Sequence, residues 1–151
     1  MRITVLTLSL ETIKTAILLV WALWLSMVTL MNMLEALKAM KTLPESFKTS
    51  SNWSLMLRVT QTYPTPVWLV ATLFALVIVW ETLATVALWV ALLSGIPEVA
   101  TTALGLLTLL WGGFMLANQF YMAWLTDPGL VAAHRSLFGV SLMSLLAYRL
   151  L

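Results

Sequence analysis

The sequence contains no cysteine and a single histidine, His134. Without thiols the chain cannot make structural disulfides, thiolate zinc sites, iron–sulfur ligation or CxxC redox exchange. With one histidine it cannot complete a bis-histidine haem, a zinc triad or a di-metal carboxylate site from its own residues, so no metal is expected. Charge is also scarce, at 9% of residues, against about 25% in soluble domains. The net charge of +2 comes without a dense basic cluster, which argues against a nucleic-acid partner. There is no glycine-rich phosphate loop, no serine in a nucleophile motif and no carboxylate pair within the apolar runs. No catalytic residues are therefore expected, and the chain does not read as an autonomous enzyme.

What is abundant is apolar surface: 62% of the 151 residues are hydrophobic and the mean hydropathy is +0.99. A helix crossing the roughly 30 Å hydrocarbon core needs about 20 apolar residues. The sequence predicts an all-α integral membrane protein: one domain over 1–151, a four-helix transmembrane bundle with spans about 15–33, 67–93, 99–125 and 130–151. The lipid bilayer is its first expected partner. Met1-Arg2-Ile3 opens like a signal peptide, but Glu11 and Lys14 interrupt the apolar run and no small-x-small cleavage site follows, so the first span is expected to be retained. Myristoylation and cysteine lipidation lack their acceptor residues.

Between the first two spans lies a polar interfacial loop, about 34–66. Leu34, Leu37 and Met40 fall on one helical face and Glu35, Lys38 and Lys41 on the other, which predicts an amphipathic foot running to Pro44. Trp53–Thr62 is expected to form a short interfacial helix capped by Ser51 or Asn52, although Trp53, Leu55, Leu57 and Val59 also alternate as in a strand. Asn52-Trp53-Ser54 fits the glycosylation pattern and is read as coincidence. Ser94-Gly95-Ile96-Pro97-Glu98 predicts a tight hairpin between spans two and three, and Thr126-Asp127-Pro128-Gly129 a turn before span four. Trp68, Trp89 and Trp124 fall near span ends, whereas Trp21, Trp24, Trp80 and Trp111 sit at mid-depth, as packing or as the lining of a site.

The most informative residue is Glu81, near the middle of span two, because an acid at the bilayer centre costs about 2.5–3.5 kcal/mol and needs a partner, a proton or a cavity. Val77, Ile78, Thr85 and Leu88 mark its inward face, with Thr82 and Thr85 as nearby hydroxyls. It is either a site for coupling, a quinone or a substrate cation, or a structural carboxyl hydrogen-bonded to another helix. A second polar layer gathers Ser26, Thr29 and Asn32 of span one, Asn118 and Gln119 of span three, and His134 and Arg135 of span four at one membrane face. Arg135 lies about 7 Å below Leu130 and Glu81 about 21 Å below Val67, at 1.5 Å per residue. A direct pair would need offset helices, so Arg135 is expected to meet Asn118, Gln119, backbone carbonyls or lipid phosphate. His134 is an interfacial polar residue or a donor to a quinone carbonyl. Gly113 and Ala117 at small-xxx-small spacing, Gly105 and Gly112 seven apart, and Val140, Ser144 and Ala147 on one stripe are expected to pack helices closely.

Three stretches carry a family resemblance: Glu81-Thr82-Leu83-Ala84-Thr85; Gly113-Phe114-Met115 leading to Phe120, Tyr121 and Trp124; and Ala132-Ala133-His134-Arg135. In these the chain resembles the bacterial small integral membrane proteins of domain-of-unknown-function family 2165. The chain departs from the family at Asn118 or Gln119, where members carry an acid, and at Asp127-Pro128-Gly129, where they carry Trp-Asn-Gly-Gln. The resemblance implies four spans in a bacterial inner membrane and no named reaction. By charge, Lys38, Lys41, Lys48, Arg58 and Arg135 on one side against Arg2, Lys14 and Arg149 on the other put the long loop in the cytoplasm, while the basic start and the family favour the reverse. The leading expectation is an accessory subunit of a larger respiratory or photosynthetic membrane complex, reached through other subunits or self-association. The alternatives are a small proton-coupled transporter or channel using Glu81, and a quinone-handling anchor. No cofactor is expected from the chain alone beyond a quinone or a lipid.

Overall fold

In a computed structural model, residues 9–151 are described; Met1-Arg2-Ile3 and the charge of Arg2 lie outside them. Five α-helices follow in order: α1 (Leu10–Ala39), α2 (Asn52–Thr60), α3 (Val67–Ser94), α4 (Pro97–Phe120) and α5 (Pro128–Leu150). No strand occurs among the described residues, so the helical reading of Trp53–Thr62 holds and the alternating one falls. Of the five, α1, α3, α4 and α5 are long and apolar enough to cross a membrane, which makes this a multi-pass membrane protein by composition.

The hairpin between α3 and α4 forms as its residues dictate. Gly95 takes the left-handed conformation at φ 65°, which glycine adopts without a Cβ penalty, and Pro97 opens α4 where no amide donor is needed. Asp127 caps α5 by accepting from the Leu130 amide at 2.9 Å, and Pro128 follows at its first turn. Ser9 caps α1 through the Thr12 amide. Ser51 precedes α2 without a side-chain cap bond.

Two helix ends differ from expectation. Helix α1 stops at Ala39, short of Pro44, because Lys41 turns left-handed (φ 60°) while its amide bonds the Lys38 carbonyl and that of Thr42 the Leu37 carbonyl. Helix α4 stops at Phe120 rather than continuing to Leu125. Met122 turns left-handed at φ 49°, and a short 3-10 turn, Ala123–Leu125, follows. The first is a Schellman ending and the second a left-handed stop, both built without glycine, so neither carried a signal in the sequence.

Helix α1 packs on α3, α3 on α4 and α4 on α5, while α1 and α5 touch more sparingly. Their link is the Trp21 Nε1–H, which donates to Ser144 Oγ at 2.9 Å. The driest part of the core lies at the hairpin end, where Leu88 and Ala91 meet Ala100, Ala103, Leu104 and Leu107, with Leu18, Ala22 and Leu25 of α1 against them. Alanine at four of these positions brings the backbones close. At the other end α2 fills the angle between α1 and α3, and Trp53 lies against Phe74 with ring centroids 5.7 Å apart.

The small residues divide by role. A Cβ on Gly112 would stand 3.4 Å from the Phe138 ring, so this glycine packs directly against α5 with room for little more than a methyl group. Gly105 and Gly113 have open space where a Cβ would go, and Gly113 and Ala117 are exposed. The expected close packing there is not made within this chain, because Gly113 and Ala117 line an open cleft rather than a helix contact.

On the amphipathic foot one polar residue is covered rather than exposed. Glu35 is buried at 6% exposure while Leu37 and Met40 are 39% and 74% exposed. The cause is α2: the Glu35 carboxylate accepts from the Asn52 amide at 2.9 Å and from the Ser50 hydroxyl, satisfying donors at the helix start.

Candidate functional site

Glu81 sits midway along α3 and is 1% exposed. The amide of Asn32, on α1, donates to both of its carboxyl oxygens at 2.9 Å. Asn32 in turn accepts from the Asn52 amide of α2 at 2.6 Å. One side chain, Asn32, therefore joins three helices at a buried carboxyl.

The same two helices continue the pattern toward the hairpin end. Thr29 meets Thr85 at 3.2 Å between hydroxyls, and the Trp89 indole donates to Ser26 at 3.0 Å. Positions 32, 29 and 26 of α1 thus face 81, 85 and 89 of α3, steps of three against steps of four along antiparallel helices. This is the spacing of interlocking side-chain ridges. Ser26, Thr29 and Asn32 were expected to share a layer with Asn118, Gln119, His134 and Arg135; they pair with Glu81, Thr85 and Trp89 instead. The signal lies in two periodicities, every third position on α1 and every fourth on α3, rather than in depth.

On the opposite wall, the Asn118 amide lies 2.9 Å from His134 Nδ1. With the amide donating, the histidine carries its hydrogen on Nε2. Arg135, one position further along α5, is exposed and makes no hydrogen bond or ion pair among the described residues, and Gln119 is likewise exposed and unbonded. The expected meeting of Arg135 with Asn118 or Gln119 is not made: the 100° step between neighbouring helix positions turns His134 inward and Arg135 outward. Among the described residues no three His, Asp or Glu side chains gather where they could hold a metal ion.

Between these walls lies a cavity of about 830 Å³. Its lining is mainly apolar, and Glu81, Asn52, Thr60, Asn118 and His134 are among its polar members. The mouth is rimmed by Leu76 and Trp80 of α3 and by Leu109 and Leu116 of α4, all exposed, so the cleft opens sideways, toward lipid. The four mid-depth tryptophans divide by exposure. Trp21 and Trp111 are buried, whereas Trp24 and Trp80 are about two-fifths exposed; Trp24, Trp80 and Trp111 line the cleft. A chain of rings runs from Trp24 to Trp111 (5.5 Å), Phe114 (5.5 Å) and His134 (4.5 Å). The Trp111 indole N–H, within that chain, has no hydrogen-bond partner. Helix α2 closes the aqueous end with Leu55, Met56 and Val59.

The arrangement can hold an amphiphile: an apolar body against the leucines and rings, and a polar group against Glu81 or His134. Such concave, largely apolar sites with a few directed polar groups are the usual form of small-molecule pockets, at about 300–1,000 Å³. No family model matches the chain, and no curated protein and no solved structure matches it either.

Proposed function

We propose that this membrane protein binds an amphiphilic small molecule taken from the bilayer, with its polar group lodged beside Glu81, and that it works in a bacterial inner membrane as a binding protein or small carrier. One observation carries the reading: a lipid-facing cavity of about 830 Å³ stands open beside a carboxyl that is 1% exposed at the midpoint of a spanning helix. A purely structural acid needs only its partner, and Asn32 is that partner; it needs no cavity. The three stretches that carry the resemblance to family 2165 support the reading, since Glu81, Gly113, Phe114 and His134 come from all three and line this one cleft. Proton-coupled transport through Glu81 and quinone handling are the two forms in which such a site would be used.

A second reading, an accessory subunit of a larger membrane complex, is favoured by Gly113 and Ala117, whose small, exposed face is suited to a neighbouring helix. Such a helix would cover the same mouth. Native mass spectrometry after mild extraction separates the two. A bound small molecule on a monomer or dimer, lost when Gly113→Leu projects a side chain into the cleft, supports the binding reading. A constant heteromeric partner with no small ligand overturns it in favour of the subunit.

A further inference from the structure

We propose that the occupant of the cleft is a lipophilic cation: a protonated amine, or a quaternary ammonium or phosphonium centre, carried on an apolar body. This rests on the reading that the cleft is a binding site, and it names the class of molecule that the site takes.

Charge is the first ground. Among the described residues Glu81 is the only carboxyl on the lining, and no lysine or arginine is found there. The described cationic side chains with partners are spent elsewhere: Arg58 on Asp127 at 3.3 Å, Lys14 on Glu11 and over the Tyr148 ring, Lys38 on the Phe47 carbonyl. Asn32 gives the Glu81 oxygens two hydrogen bonds but no positive charge. Inside a poorly screened, apolar wall a carboxylate is strongly complementary to an organic cation, and among the described residues no cationic side chain competes for it.

The aromatic wall is the second ground. Trp24, Phe74, Trp80, Trp111 and Phe114 surround the cavity, and their ring faces carry the negative end of the quadrupole, which attracts cations, tryptophan most of all. The rival classes fit less well. An anionic headgroup would face Glu81 and find no basic side chain. An uncharged carbonyl compound would use the His134 Nε2–H and leave Glu81 unanswered. A lipophilic cation answers both the acid and the rings, and it reaches a sideways mouth by partitioning into the bilayer.

The test uses the full-length protein in mild detergent, with tetraphenylphosphonium and tetraphenylborate as probes. The two have nearly the same shape and apolar surface but opposite charge. Equilibrium dialysis, with empty micelles as the blank, should show saturable binding of tetraphenylphosphonium and none of tetraphenylborate. Affinity should fall about tenfold or more in Glu81→Gln, and severalfold in Trp24→Leu, a partly exposed lining position that keeps the inference testable should the acid variant fail to fold. Equal binding of tetraphenylborate, or unchanged tetraphenylphosphonium affinity in a folded Glu81→Gln, overturns the cation assignment. Saturable binding of decylubiquinone instead, abolished by Gly113→Leu, overturns it while leaving the cleft a binding site. Absence of saturable binding for all these probes, or binding that survives Gly113→Leu, overturns the cleft reading itself.

Discussion

Replacing Asn32 by alanine removes three hydrogen bonds at once: two to Glu81 and one from Asn52. Asn32 and Glu81 are 3% and 1% exposed, so water cannot take over freely. Hydrogen bonds between membrane helices are worth roughly 0.6 kcal/mol on average and up to about 1.7. A buried polar group stripped of its partner costs about 1–3 kcal/mol. Together these place the loss for Asn32→Ala at about 2–4 kcal/mol of bundle stability. It can be measured by unfolding in mixed micelles of mild detergent and dodecyl sulfate, followed by tryptophan fluorescence. Asn52→Ala, which removes one of the three bonds, should cost about 1 kcal/mol. In a Glu81→Met background the cost of Asn32→Ala should shrink to about that of the Asn52 bond, since no carboxyl remains to be stranded. A loss below about 0.5 kcal/mol, or the same loss with and without the acid, would refute a hydrogen-bonded hub at this position.

Other positions give separate checks in the same assay. Gly95→Ala forces a Cβ into a left-handed residue (φ 65°) and should cost about 1–2 kcal/mol. Gly112→Leu drives a side chain into Phe138 and should cost about 1–3 kcal/mol, whereas Gly105→Leu, with open space at its Cβ, should change stability little. Asp127→Ala removes the α5 cap and should cost about 1 kcal/mol. Arg58→Ala breaks only the exposed pair with Asp127 and should stay within about 0.5 kcal/mol.

The four spans were legible because apolar runs of this length have one stable use in a bilayer, and because Gly95, Pro97, Asp127 and Pro128 mark their junctions with local chemistry. The ends at Lys41 and Met122 were not, since a left-handed lysine or methionine is held by the surrounding turn rather than announced by residue type. The burial of Glu35 was not legible, because amphipathicity shows two faces without saying which one a later segment will cover; here α2 covers the acid. Glu81 stood out by its cost in lipid, and His134 by being the only histidine. Asn32 and Asn52 were hard to see as partners of Glu81, because that pairing depends on how α1, α2 and α3 are rotated against one another. Arg135 drew notice by its charge, yet one helical step turned it outward and left His134 to meet Asn118.

Helix α3 is the most apolar of the four long helices, with greasy residues on every side. Such a helix inserts readily but has no preferred azimuth, since lipid accepts any of its faces equally. Glu81 breaks that degeneracy. Only one rotation about the helix axis brings the carboxyl to Asn32, and the same rotation brings Thr85 to Thr29 and Trp89 to Ser26. The acid therefore acts during assembly as an indexing pin: it selects which stripe of α3 docks on α1. A chain with leucine in its place would still insert four spans, with only the Thr29–Thr85 and Trp89–Ser26 bonds left to fix the polar side of α3 against α1.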